Sequence, residues 1–558
     1  MYSAVDTLWI LLAVILMFMM QAGFAMLETG FTRAKNAGNI AMKNLLDFVV
    51  GSLVFWIIGF GLLHNTSVGG FIGIPDLFTQ GDYSQSGFPG NAYFIFQVMF
   101  CATAATIVSG AMAERTKFQA YLICSAILSA FVYPVAAHWI WNADGWLNKL
   151  GFHDFAGSTA VHLVGGMAAL VGAKMLGPRI GKYDRKGKSK AIPGHNLSLG
   201  VLGIFLLWFG WYGFDAGSTL TITGDDAIKL VSSIVVNVTF CASASCLMAM
   251  LVSWRRYGKA DITMTFNGAL AGLVAVTSGC DQVTITGAVC IGLITGFIVV
   301  FAIEFVDMKL KVDDPVGAVS AHGISGALGT VLTGVFSTKI GLLHTGKLNG
   351  LLIQCLGVIC VCAWVIVCMS IVFVIMKKTI GIRVSEDDEM KGLDFSEHGM
   401  APLMAGDGES YSAMASPQHL VEQIDMSVPD EDEPLPEKYK VTDGKMRMVM
   451  VMMNPNRLEV LMKALDRIEI TGMTVTNVSG CGIQKGNTEY YRGAELESHL
   501  IPKVKVEIVI CAVPLALVID TIKKSIYTGK IGDGKIFVYE IDDVIKVRTG
   551  SQGREALE

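Results

Sequence analysis

Before Lys377 this 558-residue chain carries eleven apolar runs of roughly 20 residues, and that pattern fixes the solvent of its first two thirds. Lipid offers no partner to a backbone N–H or C=O, so each run must close its own hydrogen bonds as a helix. The runs cover approximately 4–29, 45–64, 91–112, 118–138, 157–177, 195–215, 228–252, 263–280, 284–306, 316–336 and 350–376. The first has neither a basic leading segment nor a small-residue cleavage site, so it is expected to be a spanning helix and not a removed leader. Only 16% of residues are charged, against about 25% in soluble domains. A net charge of −5 gives no hint of nucleic-acid binding. Most of the 12 cysteines sit inside apolar runs, so no disulfide framework is expected; before residue 380 only Cys280 is expected to face outward.

Positive charge sets the direction of these spans. Arg33, Lys35 and Lys43, then Arg115 and Lys117, then the cluster from Arg179 to Lys190, then Arg255, Arg256 and Lys259, then Lys309 and Lys311, fall in alternate loops, while the long loop 65–90 has no Lys or Arg. The positive-inside rule makes the charged side cytoplasmic. The N-terminus is then outside, the C-terminus inside, and the chain is expected to be multi-pass in the plasma membrane, the inner membrane of a bacterium. Eleven spans divide as five, five and one. Helices 5 and 10 then run antiparallel, an inverted 5+5 repeat of the kind found in transporters whose site lies at mid-membrane on a pseudo-two-fold axis.

Two copies of one pattern mark that axis. Asp154 lies eight positions before His162, and Asp314 eight before His322; Gly157 and Gly317 lie five before their histidines, Gly166 and Gly326 four after. A charged group inside a membrane helix is costly, so an ionisable side chain there faces a cavity or a partner. A lone intramembrane His is often a simple interhelical hydrogen-bonder, whereas two at matched places in a repeat are expected to line a path. No third ligand accompanies them in metal-binding spacing. Neutral imidazoles in line both donate and accept, which suits a small hydrogen-bonding solute or a proton relay. Asp154 and Asp314 read as carboxylates that begin helices 5 and 10, and Asp154 has a second reading as a residue that shapes the outer vestibule.

Aromatic residues gather near the outer ends of neighbouring runs: Phe96 and Phe100 in helix 3, Trp141 just outside helix 4, and Trp211 and Phe214 in helix 6. They read either as an interfacial belt, the better fit for Trp139 and Trp146, or as a cation–π site worth about 0.5 to 2 kcal/mol that concentrates a small cation. Ser218 is placed to accept a hydrogen bond from such a cation.

The segments MLETGFTRAKN, GAMAERTKF, AHWIW, DFAGSTAVHLVGG, PGHNLSLG, GWYGFDAGS, GALAGLVAVTSGC and VDDPVGAVSAHGISG together resemble the ammonium transporter (Amt/Mep/Rh) family over residues 1 to about 400. The resemblance implies a homotrimer with one pore per subunit and ammonium or ammonia as substrate. It further implies an outer recruitment site of Trp141, Phe100 and Ser218, a stacked gate of Phe100 and Phe214, and a twin-His relay of His162 and His322. No nucleophile, base and orienting group converge in the sequence, and the chain is not expected to be an enzyme.

Composition changes after Arg383, and the expected division is a membrane domain at 1–380, a tail and acidic linker at 381–444, and a soluble domain at 445–558. GLDFSEHG still resembles the transporter family's tail, and SVPDEDEPLPEKYK reads as a solvated tether. From Lys445 the periodicity shortens to a β-α-β-β-α-β order, a ferredoxin-like α+β fold. In it, RLEVLMKALDRI forms an amphipathic helix with Leu458, Leu461, Leu465 and Ile468 inward, and the turn Thr528–Lys535 resembles a phosphate cradle.

GMTVTNVSGCGIQKGNTEYYRGAE, IPKVKVEIV and TGKIGDGKIFVYEIDDVIKVRTG closely resemble the PII signal-transduction proteins over about 445 to 550. That resemblance implies a trimer binding ATP or ADP between subunits, and 2-oxoglutarate with a magnesium–ATP complex. It assigns nucleotide contacts to Thr474, Gly482, Gly532, Asp533, Gly534, Lys535, Lys546 and Arg548, the magnesium site to Gln484, and the 2-oxoglutarate contact to Lys503. The loop from Gly482 to Ile501 corresponds to the PII T-loop, with Arg492 as the tip that plugs a transporter's cytoplasmic mouth. The chain is thus expected to be an ammonium transporter carrying its own PII regulator. Two rivals stand beside that reading: an ammonium sensor signalling through the PII half, and a PII half that recruits free PII proteins.

Overall fold

The computed structural model describes residues 2–400 and 444–557, apart from 86, 185, 471, 481–487, 492–493, 498–500 and 530–531. Two compact units result, one ending at His398 and one holding the described residues from Gly444 onward.

The first unit is built on α1 (Ala4–Phe31), α2 (Ala34–His64), α3 (Gly90–Ala111), α4 (Phe118–Leu150), α5 (Ser158–Leu176), α6 (Leu197–Ala216), α7 (Asp225–Tyr257), α8 (Ile262–Val276), α9 (Ile285–Lys309), α10 (Val319–Phe336) and α11 (Asn349–Thr379). Among the described residues ten of these are long and apolar enough to cross a membrane; α8 has only 15 residues. The expectation of eleven full spans is therefore corrected to ten and one short helix. The cause is at the end of α8, where Thr277 Oγ1 turns back to the Leu273 carbonyl and Gly279 N closes a turn onto Val276. Cys280 follows in that turn and is buried, with its carbonyl taken by Asn237 Nδ2 at 2.9 Å. Its expected outward position is corrected accordingly.

The positively charged loops meet at one end of the bundle. Arg179 bonds Glu114 at 2.8 Å and Asp313 at 2.8 and 2.9 Å, Arg33 pairs with Glu114, and Arg115 donates to the Asp313 carbonyl at 2.7 Å. Loops α1–α2, α3–α4, α5–α6 and α9–α10 thus share a face, as alternating charge requires. Burial alone would raise the carboxyl pKa of Asp313, yet the Arg179 bonds and the Arg115 charge hold it below the ordinary range. Glu114 is held low against burial in the same way, by Arg179 and Arg33. Removing one partner would strand a buried charge, typically a loss of about 3–5 kcal/mol.

The chain after α11 docks on this end. Helices α12 (Glu386–Lys391) and α13 (Leu393–His398) follow a bridge between Thr116 and Arg383. Asp394 accepts from Gly38 N at 2.9 Å and Asn39 N at 2.6 Å, filling free donors at the start of α2, and Glu389 accepts from Ile180 N at 2.7 Å.

The second unit runs β1 (Arg447–Met453), α14 (Leu458–Arg467), β2 (Thr474–Gly480), β3 (Thr488–Tyr491), β4 (Ala494–Glu497), β5 (Ile501–Ile510), α15 (Leu515–Ile526) and β6 (Gly534–Glu540). Four strands form one antiparallel sheet in the order β2-β5-β1-β6, and β3 pairs with β4 as a separate hairpin. Without the hairpin the order is the expected β-α-β-β-α-β. Alternation along β1 buries Val449, Val451 and Met453 beneath Leu461 and Leu465 of α14 and Val518 and Ile522 of α15, while Leu458 and Ile468 pack at the margin.

Candidate functional site

Each histidine stands on a wide helical turn set by the residues just before it. His162 N donates to Gly157 O at 3.0 Å, a span of five residues where an α-helix has four. Gly157 and Gly317 have φ of 114° and 81°, a region that side chains rarely adopt, which explains a glycine five positions before each histidine. The aspartates fix these turns. Asp154 accepts from Gly157, Thr159 and Ala160 N–H groups at 3.1, 2.9 and 2.8 Å; Asp314 accepts from Gly317 and Val319 at 3.0 and 2.7 Å. Each lies four or five residues before its helix starts at Ser158 or Val319, yet its carboxylate reaches the N–H groups of the first turn, so it caps the helix as expected but from further upstream.

The two turns cross where neither has a side chain. A Cβ added at Gly166 would lie 2.2 Å from Gly323 N and 2.3 Å from Gly323 Cα. This approach brings His162 Nδ1 within 3.2 Å of His322 Nδ1, with ring centroids 5.3 Å apart and planes 24° from parallel. At that distance one Nδ1 carries the hydrogen and the other accepts it, so the imidazoles take complementary tautomers.

A file of rings leads away from the pair on the His162 side. His162 stacks on Trp211, centroids 4.9 Å apart and planes 13° apart, and lies 5.4 Å from Phe214. Phe214 meets Phe100 at 4.5 Å, and Phe100 meets Phe96 at 4.9 Å and Trp141 at 5.5 Å. Trp141 is half-buried, and its indole N–H donates to the Asp154 carbonyl at 2.8 Å. Ser218 Oγ bonds the Phe214 carbonyl at 2.8 Å, and Trp211 Nε1 donates to Thr277 at 2.9 Å. All nine residues singled out in the sequence thus fall in one connected group. His162 Nε2 is buried with no hydrogen-bond partner, a polar atom left unsatisfied among the aromatic rings around it.

Sequence reasoning missed the other side. His322 lies 5.7 Å from the ring of Phe24 and lines a cavity of about 10 Å³ with Phe24, Glu28, Ile107, Asn267 and Val316. The signal available was Glu28 itself, a carboxyl late in the first apolar run. Among the described residues no group of three metal-ligating side chains occurs.

In the second unit, Lys503, Asn454 and the turn before β6 meet at one end of the sheet. Lys503 Nζ bonds Asn454 Oδ1 at 2.6 Å and the Gly532 carbonyl at 2.9 Å. Partial burial lowers its ammonium pKa, with Asp533 opposing. Asp533 shapes the turn by accepting from Thr528 N at 2.7 Å and Gly529 N at 3.0 Å, and Gly534 and Lys535 open β6 beside Met453 and Met452. A lysine beside a glycine turn, bonded to Asn454 and the Gly532 carbonyl, belongs to a donor set that fits an anionic phosphate or carboxylate. Thr474 is not with them: Lys503 pairs with Val478, four residues along β2, so Thr474 lies roughly 13 Å away. Lys546 and Arg548 belong to a later turn closed by the Ile545–Gln552 bridge. Gly482, Gln484 and Arg492 lie outside the described residues.

Comparison with known proteins gives these geometries a family. The Ammonium Transporter Family model matches residues 8–402, and the Nitrogen regulatory protein P-II model matches 446–551. Ammonium transporter Amt2 of Archaeoglobus fulgidus is 46% identical over 417 residues, covering 71% of this chain and 87% of its own length. Ammonium transporter 1 member 2 of Arabidopsis thaliana is 39% identical over 401 residues, covering 66% and 78%. Among solved structures, a protein titled Sensor Amt Protein aligns with TM-score 0.67 and 38% identity over 71% of this chain and 98% of its own. Mep2 of Candida albicans aligns with TM-score 0.64 and 29% identity over 71% and 90%. This chain belongs to the ammonium transporter family and carries a P-II nitrogen regulatory domain behind its membrane helices.

Proposed function

We propose that the chain takes up ammonium through the file of rings and the paired histidines, as a homotrimer in the plasma membrane with the α1–α2 loop and the P-II domain cytoplasmic. The observation that carries this reading is the 3.2 Å contact between His162 and His322 in line with Phe214, Phe100 and Trp141. Ammonium resembles the lysine ammonium, with a pKa near 10, so removing its proton at pH 7 costs roughly 4 to 5 kcal/mol. Taking the bare ion through an apolar passage costs far more. The ion is therefore gathered by Trp141, Phe100 and Ser218 beside the Asp154 loop and loses its proton there. Neutral ammonia passes Phe100 and Phe214 and then runs along the imidazoles, which hand the proton on separately. The matched Asp-Gly-His turns support an inverted repeat around this path.

The test is ammonium-evoked current from the full chain in liposomes with His162 and His322 replaced by Asp or Glu. Loss of current or of selectivity supports the relay; an undiminished, ammonium-selective current overturns it.

Regulation is assigned to the P-II domain. Lys503 and Gly532 to Lys535 would hold ATP or ADP and 2-oxoglutarate, with Thr474, Lys546 and Arg548 brought from elsewhere in a trimer and Gln484 completing the magnesium site. The bound nucleotide supplies charge that sets the T-loop conformation. Arg492 then stops the cytoplasmic mouth of its own pore, at an effective concentration that fusion raises. Arg492→Ala is expected to relieve this block in flux assays; unchanged gating favours recruitment of free P-II proteins. The similarity to a protein titled Sensor Amt Protein favours a second reading, an ammonium sensor. Protein-dependent ammonium flux in liposomes excludes a pure sensor.

A further inference from the structure

Glu28 takes no part in the route above, yet it borders it. The cavity beyond His322 has about 10 Å³, at the lower edge of the roughly 10–15 Å³ that admits one water-sized molecule, and its polar lining is Glu28, Asn267 and His322. Glu28 is 2% exposed, late in α1, with Oε2 taking Asn44 Nδ2 at 3.0 Å. Lys43 and Asp47 of α2 act on it electrostatically, and Ser109 of α3 lies beside it. The Asn44 Oδ1 atom beside it is buried and without a hydrogen-bond partner. The backbone of α3 closes against the carboxyl at Gly110, where an added Cβ would come within 3.4 Å of Glu28 Cδ and 2.4 Å of Val316 Cγ2. A carboxyl kept in an apolar wall is costly unless it serves a partner or a passing solute. Among the three polar groups lining this space it is the one that gives up a proton and is left with a negative charge to hold the cation formed.

We propose that Glu28 is the proton donor of the inner pore, the group from which ammonia recovers its proton after passing His322. The role rests on the twin-His reading. The proton released at the outer mouth travels through the imidazoles to the Glu28 carboxylate. Ammonia following behind breaks the carboxyl O–H bond and forms a new N–H bond. Ammonium departs, and the carboxylate left behind takes the next proton. One ammonium enters, one leaves, and one charge crosses.

Full-length protein in liposomes, read both by ammonium-evoked current and by protein-dependent alkalinisation of the lumen, tests this. Glu28→Gln is expected to lower the current at least about tenfold while protein-dependent alkalinisation appears, because ammonia then arrives without its proton and takes one from the lumen, and Glu28→Asp to recover most of the current. Current equal to wild type in Glu28→Gln overturns the role of Glu28 alone. Loss of current with no alkalinisation beyond that of protein-free liposomes also overturns it, since that is closure of the pore. No current from either the wild-type protein or its Arg492→Ala variant, in which the proposed block is relieved, overturns the twin-His reading and this role with it. If Glu28→Gln does not assemble, Glu28→Ala decides: lowered current with alkalinisation of the lumen supports the proposal, and lowered current without it, or current equal to wild type, overturns it.

Discussion

The two Asp-Gly-His turns share a backbone and differ in what surrounds it. Asp154 is buried, accepts from three N–H groups and has its carbonyl taken by Trp141, and its histidine stacks on Trp211. Asp314 is half-buried, accepts from Gly317 and Val319, and its histidine faces Phe24 and a small cavity holding a carboxyl. The backbone device is common to both because it sets the distance between the imidazoles. The surroundings have diverged because each side of the pair has a different task, on our reading the gathering and deprotonation of ammonium beyond the rings on one side and the return of the proton to ammonia on the other.

The strongest test of this asymmetry is at the crossing itself. Gly166→Ala places a methyl 2.2 Å from backbone, whereas Gly323→Ala places one 3.2 Å from its nearest neighbour. The first is expected to cost at least about 1–3 kcal/mol by overpacking and to abolish flux, with a lowered Tm; the second is expected to be tolerated within about 1 kcal/mol. Equal effects would mean that the crossing is not the constraint. Next, Asp154→Asn is expected to destabilise by about 3 kcal/mol and Asp314→Asn by less, since Asp154 is the more enclosed of the two. Thermal unfolding of both variants checks the order, and equal losses would erase the distinction between the loops. The smallest effect is expected from Trp141→Phe, which keeps a ring but loses one hydrogen bond, about 1 kcal/mol. Its signature is a few-fold rise in KM for ammonium at nearly unchanged maximal rate; an unchanged KM would remove Trp141 from recruitment.

Much of the site was legible because its parts are local. Asp, Gly and His lie within eight residues of one another in each copy, so spacing alone shows that one loop positions one histidine. Trp141 and Phe100 were legible by type, as aromatics at the ends of apolar runs. Glu28 was not, because its neighbours Asn267 and His322 come from helices more than two hundred residues away, and no periodicity encodes that contact. The shortness of α8 was also hidden, since 263–280 is apolar throughout and the chain stops being helical through the turn at Thr277 to Gly279. In the P-II domain the resemblance gives Thr474 to nucleotide and Lys503 to 2-oxoglutarate at a site between subunits, and the strand register holds the two at different points of β2 and β5 within one chain. A site completed by another copy leaves no mark in the order of residues along one chain.

The glycine crossing has a mechanical consequence. Because peptide backbone touches peptide backbone at Gly166 and Gly323, the separation of the two imidazoles is a hard stop and not a spring. Bringing the two backbones closer there would require whole helices to interpenetrate. A channel whose throat is rigid in this way has only its lips to close, so any valve must be fitted at one end or the other.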